Sequence, residues 1–147
     1  MAAVFGQAAL EAVAPATGEH VLDVGCGAGA SSLALAARVG AQGHVLGVDI
    51  SASLIGRARA LAPVDAPVRF QVADASSVEL PEGAFDIVFS RFGVMFFDDP
   101  ARAFAHLRQA LRQQTFTTAL RQYLQLLAGQ AEVEGVDLEA CATPLVQ

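Results

Sequence analysis

The chain has 147 residues, an apolar fraction of 54% and a formal net charge of −6, which together indicate one packed globular domain. Its 9 basic residues are all arginines and form no cluster, which argues against nucleic acid as a partner because phosphate contacts need a basic surface. The apolar runs are too short for a membrane span and the start lacks a basic signal-peptide region, so we expect a cytoplasmic protein without a membrane partner.

The cysteines and histidines predict no metal site. Cys26 and Cys141 lie far apart in sequence, and the three histidines are scattered without the short spacings that zinc ligands show. Neither a zinc site nor a disulfide framework is therefore expected, and a reducing compartment is consistent with this pattern.

Four short runs rich in Val, Ile, Leu and Phe predict β-strands, and each is bounded by Gly, Pro, Asp or Ser. Their hydrophobicity is continuous rather than alternating, as a parallel sheet covered on both faces requires. The predicted strands are Val21–Gly25, His44–Ile50, Val68–Asp74 and Phe85–Ser90.

Helical patterns separate these strands. Ala28–Val39 ends at Gly40, Ser51–Ala62 has Ser51 as a candidate N-cap, and a third helix starts at Asp98 or Asp99 with Pro100 in its first turn. In the third helix, one apolar face is expected to cover the sheet, formed by Ala103, Phe104, Leu107 and Leu111. With a further helix before the first strand, at Met1–Ala14, this alternation predicts a doubly wound, mostly parallel α/β sheet with helices on both faces.

The stretch VLDVGCGAG, residues 21–29, predicts a buried strand that turns at Gly25, Gly27 and Gly29 into a helix. Glycines there let the backbone approach a ligand and adopt positive φ, and the helix start offers free N–H groups. The same glycine spacing also satisfies the dinucleotide fingerprint with Ala30 in its last place, so two classes of nucleotide ligand stay open.

Three aspartates at successive strand ends narrow this choice. Asp23, two residues before the first glycine, would repel a pyrophosphate but attract a ligand with an ammonium and a sulfonium group. Asp49 in GVDIS can accept ribose hydroxyls, and Asp74 in VADAS can accept from an adenine amino group. Together they predict one crevice, although each aspartate has a structural alternative as a cap or turn residue.

These motifs resemble those of class I S-adenosylmethionine-dependent methyltransferases: VLDVGCGAG as the first, GVDIS as the second, VADAS as the third and FDIVFSRFGVMFFDDP as the fourth-strand segment. The resemblance implies a Rossmann-like fold that binds S-adenosyl-L-methionine. It assigns the methionine moiety to the turn around Asp23, Gly25, Cys26, Gly27 and Gly29. It assigns the ribose and adenine to Asp49, Ile50, Asp74 and Ala75, and the floor near the methyl group to Ser90, Arg91 and Phe92.

The resemblance covers roughly residues 9–112, the core of a single 1–147 domain, and leaves an atypical helical tail at 113–147. The fifth strand of the family and its Pro-Gly-Gly turn are not found, so the C-terminal part is shortened. Thr115–Leu127 predicts an amphipathic helix instead, and Leu138–Val146 a last strand at most. Without a fifth strand, Phe85–Ser90 would be an exposed edge. The candidates to cover it are the Phe116–Leu127 helix, a strand from Leu138–Val146, or a second copy in a homodimer.

Several residues beside the motifs have two interpretations. Arg91 either orients a ligand or pairs with Asp98 or Asp99 on the surface. For the run of Phe92, Met95, Phe96 and Phe97, a place in the core is favoured over an acceptor wall. Cys26 is more simply a small turn residue than a nucleophile.

Three functional hypotheses follow. The first is an enzyme that transfers the S-adenosylmethionine methyl group to a small-molecule acceptor through positioning and desolvation, with no catalytic base identified. The second is a non-catalytic cofactor-binding or interaction remnant of a methyltransferase. The third is a fragment of a nicotinamide-dependent oxidoreductase, which the glycine spacing allows and Asp23 opposes.

Overall fold

The structure is a computed structural model that describes residues 9–112. Predictions for Thr115–Leu127, Leu138–Val146 and Cys141 lie outside the described residues, as does the start of the predicted N-terminal helix, of which residues 9–13 are helical. Within the described part of the chain, no helix has the length and apolar character needed to cross a bilayer.

The described residues form an α/β fold built on a parallel sheet. Its strands are β1 (His20–Val24), β2 (His44–Asp49), β3 (Val68–Val72) and β4 (Ile87–Ser90), in the order β3-β2-β1-β4. All neighbouring strands pair in parallel. The α-helices between and after them are α1 (Ala30–Val39), α2 (Ala52–Leu61) and α3 (Pro100–Ala110). The predicted Rossmann-like fold class is confirmed.

Helices cover both faces of this sheet. On one face, Val21 of β1 packs in a buried cluster with Leu35 and Val39 of α1. On the other face, Leu22 and Val24 belong to a cluster that contains Leu107 and Ala110 of α3. Because successive residues of a strand point to opposite faces, an entirely apolar strand is what a sheet covered on both sides needs. Asp23 is the exception inside β1.

The helix ends follow the predicted capping chemistry. The side chain of Ser51 accepts a hydrogen bond from the Leu54 N–H, and that of Asp99 accepts one from the Arg102 N–H ahead of Pro100. Gly40 closes α1 with φ +67°. Each cap satisfies a backbone group that the helix itself leaves unpaired.

Some predicted element bounds are wrong by one or two residues. β1 ends at Val24 because Gly25 already adopts φ +70°, and α1 starts at Ala30 because Gly29 is left-handed at φ +86°. β3 ends at Val72, before the turn that Asp74 and Ser76 form. Ala103 and Leu107 of α3 are buried as expected, but Phe104 is half exposed and packs edge-to-face on Phe97.

The segment just ahead of β4 pairs with the chain that follows α3. Phe85, predicted as the start of the fourth strand, lies ahead of β4 in an isolated parallel bridge to Leu111. The Phe85 N–H donates to the Ala110 carbonyl at 3.0 Å, and the Arg112 N–H donates to the Phe85 carbonyl at 2.9 Å. Leu111 therefore lies beside Phe85, just ahead of β4.

Candidate cofactor-binding site

An open crevice of about 820 Å³ lies where the four strands end. Its walls come from the residues that follow β1, β2, β3 and β4 and from the start of α3. The carboxyl ends of parallel strands meet at one edge of a sheet, so four turns separated in sequence converge there. The volume is within the range of small-molecule sites.

Asp49 joins the glycine turn to the start of α2. Its Oδ2 accepts from the Gly27 N–H at 2.9 Å, and its Oδ1 accepts from the Ser51 N–H at 2.8 Å. The turn is also held by the Val48 carbonyl, which accepts from the N–H groups of Gly25 and Cys26 at 2.8 and 3.1 Å. Each carboxylate oxygen of Asp49 keeps a second lone pair, so ligand hydroxyls can still donate to it.

Asp74 forms the opposite side of the crevice. Its Oδ1 accepts from both the N–H and the hydroxyl of Ser76, at 2.8 and 2.7 Å. These hydrogen bonds stabilise the ionised form and hold the pKa of the Asp74 carboxyl below its usual range. Asp74 is exposed, so an anionic acceptor stands at the crevice surface at neutral pH.

Asp23 lies behind the crevice rather than in its wall. It is fully buried, and its Oδ2 accepts from the hydroxyls of Ser31 and Ser32 at 2.7 and 2.6 Å. Its Oδ1 has no hydrogen-bond partner among the described residues. Burial raises the pKa of the Asp23 carboxyl, an effect that the two serine hydroxyls and the Arg91 charge oppose.

The segment after β4 packs directly onto the glycine turn. Ser90 Oγ donates to the Val24 carbonyl at 2.8 Å and accepts from the Val94 N–H at 3.3 Å. Phe92 adopts φ +80°, a strained value for a bulky residue, and the following Gly93 lies against Gly25. Backbone strain of this kind persists only where the surrounding structure imposes it. Here the strained residue, Phe92, lies at the mouth of the crevice.

The aromatic run after β4 is mostly exposed, so the favoured core interpretation is wrong for three of its members. Phe92 is 53% exposed, Met95 69% and Phe96 80%. Phe97 alone packs against the buried cluster of β1 and α3. Phe92, Phe96 and Phe97 line the crevice, which gives its mouth an apolar rim.

The structure brings together more than half of the residues predicted for the site. The crevice is lined by Gly25, Asp49, Ile50, Asp74, Ala75, Arg91 and Phe92. Asp23, Cys26, Gly27, Gly29 and Ser90 lie beside it without forming its wall. The assignment of these residues to a cofactor stays a prediction.

Cys26 has the environment of a structural residue. It is buried in a cluster with Ile55 and Phe70, and burial raises the pKa of its thiol to about 12. A thiol that remains protonated at neutral pH is a poor nucleophile.

Residues of the site region that were not predicted from the sequence include Ser31, Ser32, Ser76, Gly93 and Arg102. Ser31 and Ser32 occupy the first turn of α1, where a hydroxyl usually serves only the helix, and nothing local indicates that they face Asp23. Arg102 lines the crevice from α3. Arg91 forms no ion pair with Asp98 or Asp99 among residues 9–112, contrary to its surface interpretation.

Comparison with known proteins identifies the family. A family described as "Methyltransferase domain" matches residues 21–114. The match includes β2, β3, β4 and the three helices in full, and β1 from its second residue onward. The chain therefore belongs to the methyltransferase domain family, and S-adenosylmethionine is the cofactor that this membership indicates.

Individual relatives agree with the family match. The chain is 36% identical over 109 residues to aklanonic acid methyltransferase DauC of a Streptomyces species, covering 73% of this chain and 50% of the relative. It is 45% identical over 73 residues to 2-methyl-6-phytyl-1,4-hydroquinone methyltransferase of a Synechocystis species, covering 50% and 22%. It thus spans half or less of the length of these relatives.

A solved structure supports the fold as well. An S-adenosylmethionine-dependent methyltransferase from Mesorhizobium loti superposes with a TM-score of 0.63 at 33% identity, covering 71% of this chain and 47% of that one. Together with the family match, this similarity decides against the hypothesis of a nicotinamide-dependent oxidoreductase.

The residues present fit S-adenosylmethionine. Asp23 Oδ1 is a buried carboxyl oxygen without a partner in the described chain, which suits an ammonium group. A Cβ on Gly27 would meet no atom of the described residues within 4 Å, so the turn leaves room against its backbone. Asp49 and Asp74 supply acceptors for hydroxyl and amino donors.

Proposed function

We propose that this protein transfers the methyl group of S-adenosylmethionine to a small-molecule acceptor. The observation that carries the proposal is the convergence of the glycine turn, Asp49 and Asp74 on one crevice at the carboxyl ends of parallel strands. Dinucleotide and nucleoside ligands of such sheets bind at this position.

The chain's own residues bind and orient rather than react. The glycine turn admits the methionine moiety, Asp49 accepts from the ribose hydroxyls, and Asp74 accepts from the adenine amino group. The cofactor supplies an electrophilic methyl group on a sulfonium. Phe92 and Phe96 at the crevice mouth restrict water around the acceptor, and close alignment of the two reactants supplies the rate enhancement.

The acceptor is proposed to be a small molecule with an apolar surface. Support comes from the exposed apolar rim, where Phe92 and Phe96 present their side chains to solvent, and Met95 beside them in sequence is exposed as well. It also comes from the relatives, which are named for aklanonic acid and for a phytyl hydroquinone. An exposed apolar patch beside a crevice is typical of a ligand site.

Titration of S-adenosylhomocysteine into the purified protein tests the cofactor site. We expect binding that falls at least about tenfold in Asp49→Asn, because a hydrogen bond to a charged group is lost. Asp98→Asn is the matched control: Asp98 lines the same crevice and its substitution changes the charge equally, but it is not among the predicted cofactor contacts. Absence of binding by folded wild-type protein would overturn the proposal.

A non-catalytic cofactor-binding remnant is the second candidate, and it is supported by the sequence after Arg112, in which the family's Pro-Gly-Gly turn is not found. Single-turnover assays with labelled S-adenosylmethionine and a panel of hydroquinones separate the two candidates. Methyl transfer supports the enzyme, whereas binding without transfer to any acceptor supports the remnant.

We also propose a cytoplasmic location and pairing of two copies along β4. The first is supported by the sequence composition and is tested by cell fractionation. The pairing of two copies is supported by the edge position of β4 in the described sheet. The Phe85–Leu111 bridge pairs only the residue Phe85 ahead of β4. Size-exclusion chromatography with light scattering measures the oligomeric state directly, and a monomer at all concentrations contradicts the proposed pairing.

A further inference from the structure

The first turn of α1 places two hydroxyl groups on the carboxylate at the end of β1. Ser31 Oγ and Ser32 Oγ both donate to Oδ2 of Asp23, at 2.7 and 2.6 Å. Asp23 and Ser32 are fully buried and Ser31 nearly so. Two short hydrogen bonds on one oxygen fix the orientation of the carboxylate, because any rotation about its Cβ–Cγ bond would break them.

The same arrangement leaves the other oxygen unused. Oδ1 of Asp23 has no donor among residues 9–112, although the side chain is completely buried. A buried carboxyl oxygen without a partner carries a desolvation cost, and such groups in native proteins call for an explanation. If the serines served only to anchor α1 to β1, one hydroxyl on either oxygen would suffice.

The neighbours of Asp23 place this oxygen close to the crevice. Val24 and Gly25, which follow it in the chain, line the crevice wall, and so does Arg91 after the adjacent strand β4. Because Asp23 has no exposed surface, contact with a ligand requires a bridging water or a small displacement of the segment at Arg91. Only a cationic donor would be held strongly there.

We propose that Ser31 and Ser32 are positioning residues that orient the Asp23 carboxylate so that its Oδ1 receives the ammonium group of the cofactor's methionine moiety. This inference rests on the proposed function. It adds to the glycine turn two residues at the start of α1 that set the affinity for the amino-acid part of the cofactor.

The charged groups around Asp23 support this role. Arg91 faces it from the end of β4 and favours the ionised form, whereas Asp49 from β2 disfavours it. The Cys26 thiol stays protonated at neutral pH and adds no charge. The serine hydroxyls are the largest of the influences that oppose desolvation, so their removal raises the pKa of the carboxyl further.

The test compares two ligands that differ in the amino-acid part. S-adenosylhomocysteine carries the ammonium group, and 5′-methylthioadenosine lacks it. In Ser31→Ala and Ser32→Ala, affinity for S-adenosylhomocysteine should fall about tenfold while affinity for 5′-methylthioadenosine changes less than about twofold. Ser53→Ala, a serine in the first turn of α2 away from Asp23, is the matched control and should change neither.

A pH series between pH 6 and 8 gives a second readout. The loss of affinity for S-adenosylhomocysteine in the serine variants should shrink as the pH rises, because a carboxyl with a higher pKa becomes ionised only at higher pH. Thermal unfolding checks that each variant is folded. If Ser32→Ala does not fold, the test is made with Ser31→Ala alone, because Ser31 is the more exposed of the two serines.

The outcomes separate the inference from the proposed function. If wild-type protein binds neither ligand, the proposed function fails and the inference with it. If wild-type protein binds both but the serine variants weaken both equally, or weaken S-adenosylhomocysteine independently of pH, the serines are structural and only the inference fails. A pH-dependent loss of affinity for S-adenosylhomocysteine, with affinity for 5′-methylthioadenosine kept, supports the inference.

Discussion

The Cα atom of Gly93 lies 2.5 Å from the point that a Cβ atom on Gly25 would occupy. The contact is reciprocal, because a Cβ on Gly93 would lie 2.5 Å from the Val24 carbonyl oxygen and 2.7 Å from the Gly25 Cα. Any side chain at either position must therefore push the glycine turn and the segment after β4 apart. Two backbones in contact define the inner end of the crevice.

Gly93→Ala should destabilise the fold by about 1–3 kcal/mol and weaken S-adenosylhomocysteine binding, because a methyl group is forced into backbone contact. The cost is purely steric, since φ of Gly93 is not in the left-handed region. Gly56→Ala in α2 is the control: its Cβ would meet nothing within 4 Å, and it should stabilise by about 0.4–1 kcal/mol. Urea unfolding and calorimetric titration measure both effects, and an unperturbed Gly93→Ala protein would contradict the contact.

Asp23→Asn should become more stable relative to wild type as the pH rises. Folding raises the pKa of Asp23 through burial, so the folded state holds its proton more tightly than the unfolded state does. Its contribution to stability therefore declines as the pH rises above about 4, the ordinary carboxyl range, up to the raised value. Thermal unfolding of both proteins at pH 4.5 and 7.5 measures the trend.

Asp74→Asn provides the comparison of opposite sign. Hydrogen bonds from Ser76 lower the pKa of Asp74, so its carboxylate contributes stability above the ordinary range and loses it as the pH falls. Asp74→Asn should gain no stability relative to wild type as the pH rises. Any change in its free energy of unfolding is small because Asp74 is exposed. Identical trends for both variants would refute the assigned environments.

Phe96→Ala should raise the KM for an apolar acceptor several-fold and leave S-adenosylhomocysteine affinity and unfolding temperature nearly unchanged. Phe96 is 80% exposed, so its removal leaves no cavity. Phe97→Ala is the contrast, because Phe97 packs on the buried cluster and against Phe104 and its removal should destabilise the fold. A large loss of stability in Phe96→Ala would show that its side chain belongs to the core after all.

Asp86→Ala should cost more stability than Arg112→Ala, although the two residues form one ion pair at 2.8 Å. Asp86 also accepts from the His20 N–H at 2.8 Å at the start of β1, and its removal leaves that backbone donor unpaired. We expect about 1–3 kcal/mol for Asp86→Ala and less than about 1 kcal/mol for Arg112→Ala, whose side chain is half exposed. Urea unfolding of both variants checks the order, and equal costs would contradict it.

The spacing of apolar residues and the positions of Gly, Pro, Asp and Ser at element ends were enough to predict the fold class and most element positions. The runs around Val21 and His44 could only be buried parallel strands, and Ser51, Asp99 and Gly40 mark helix ends through hydrogen bonds that span three or four residues. Strand ends were less accurate, because left-handed backbone at Gly25 and Gly29 depends on the turn as a whole.

Relations between distant segments escaped prediction for a physical reason. The depth of Asp23 behind the crevice depends on the orientation of α1, and the exposure of Phe92 and Phe96 depends on where the chain leaves β4. Neither is encoded in local spacing. The aromatic run has the composition of a core segment, but the Gly25–Gly93 contact directs most of it outward.

All four described strands point the same way, so the loops that enter them lie at the end of the sheet opposite the crevice. The loop ahead of β3 contains Val64, which is fully exposed, and the exposed Asp65. An epitope, a fluorophore or a surface tether placed between these two residues would be remote from every ligand contact proposed for this protein. Immobilisation through that loop leaves the binding end free to face solution.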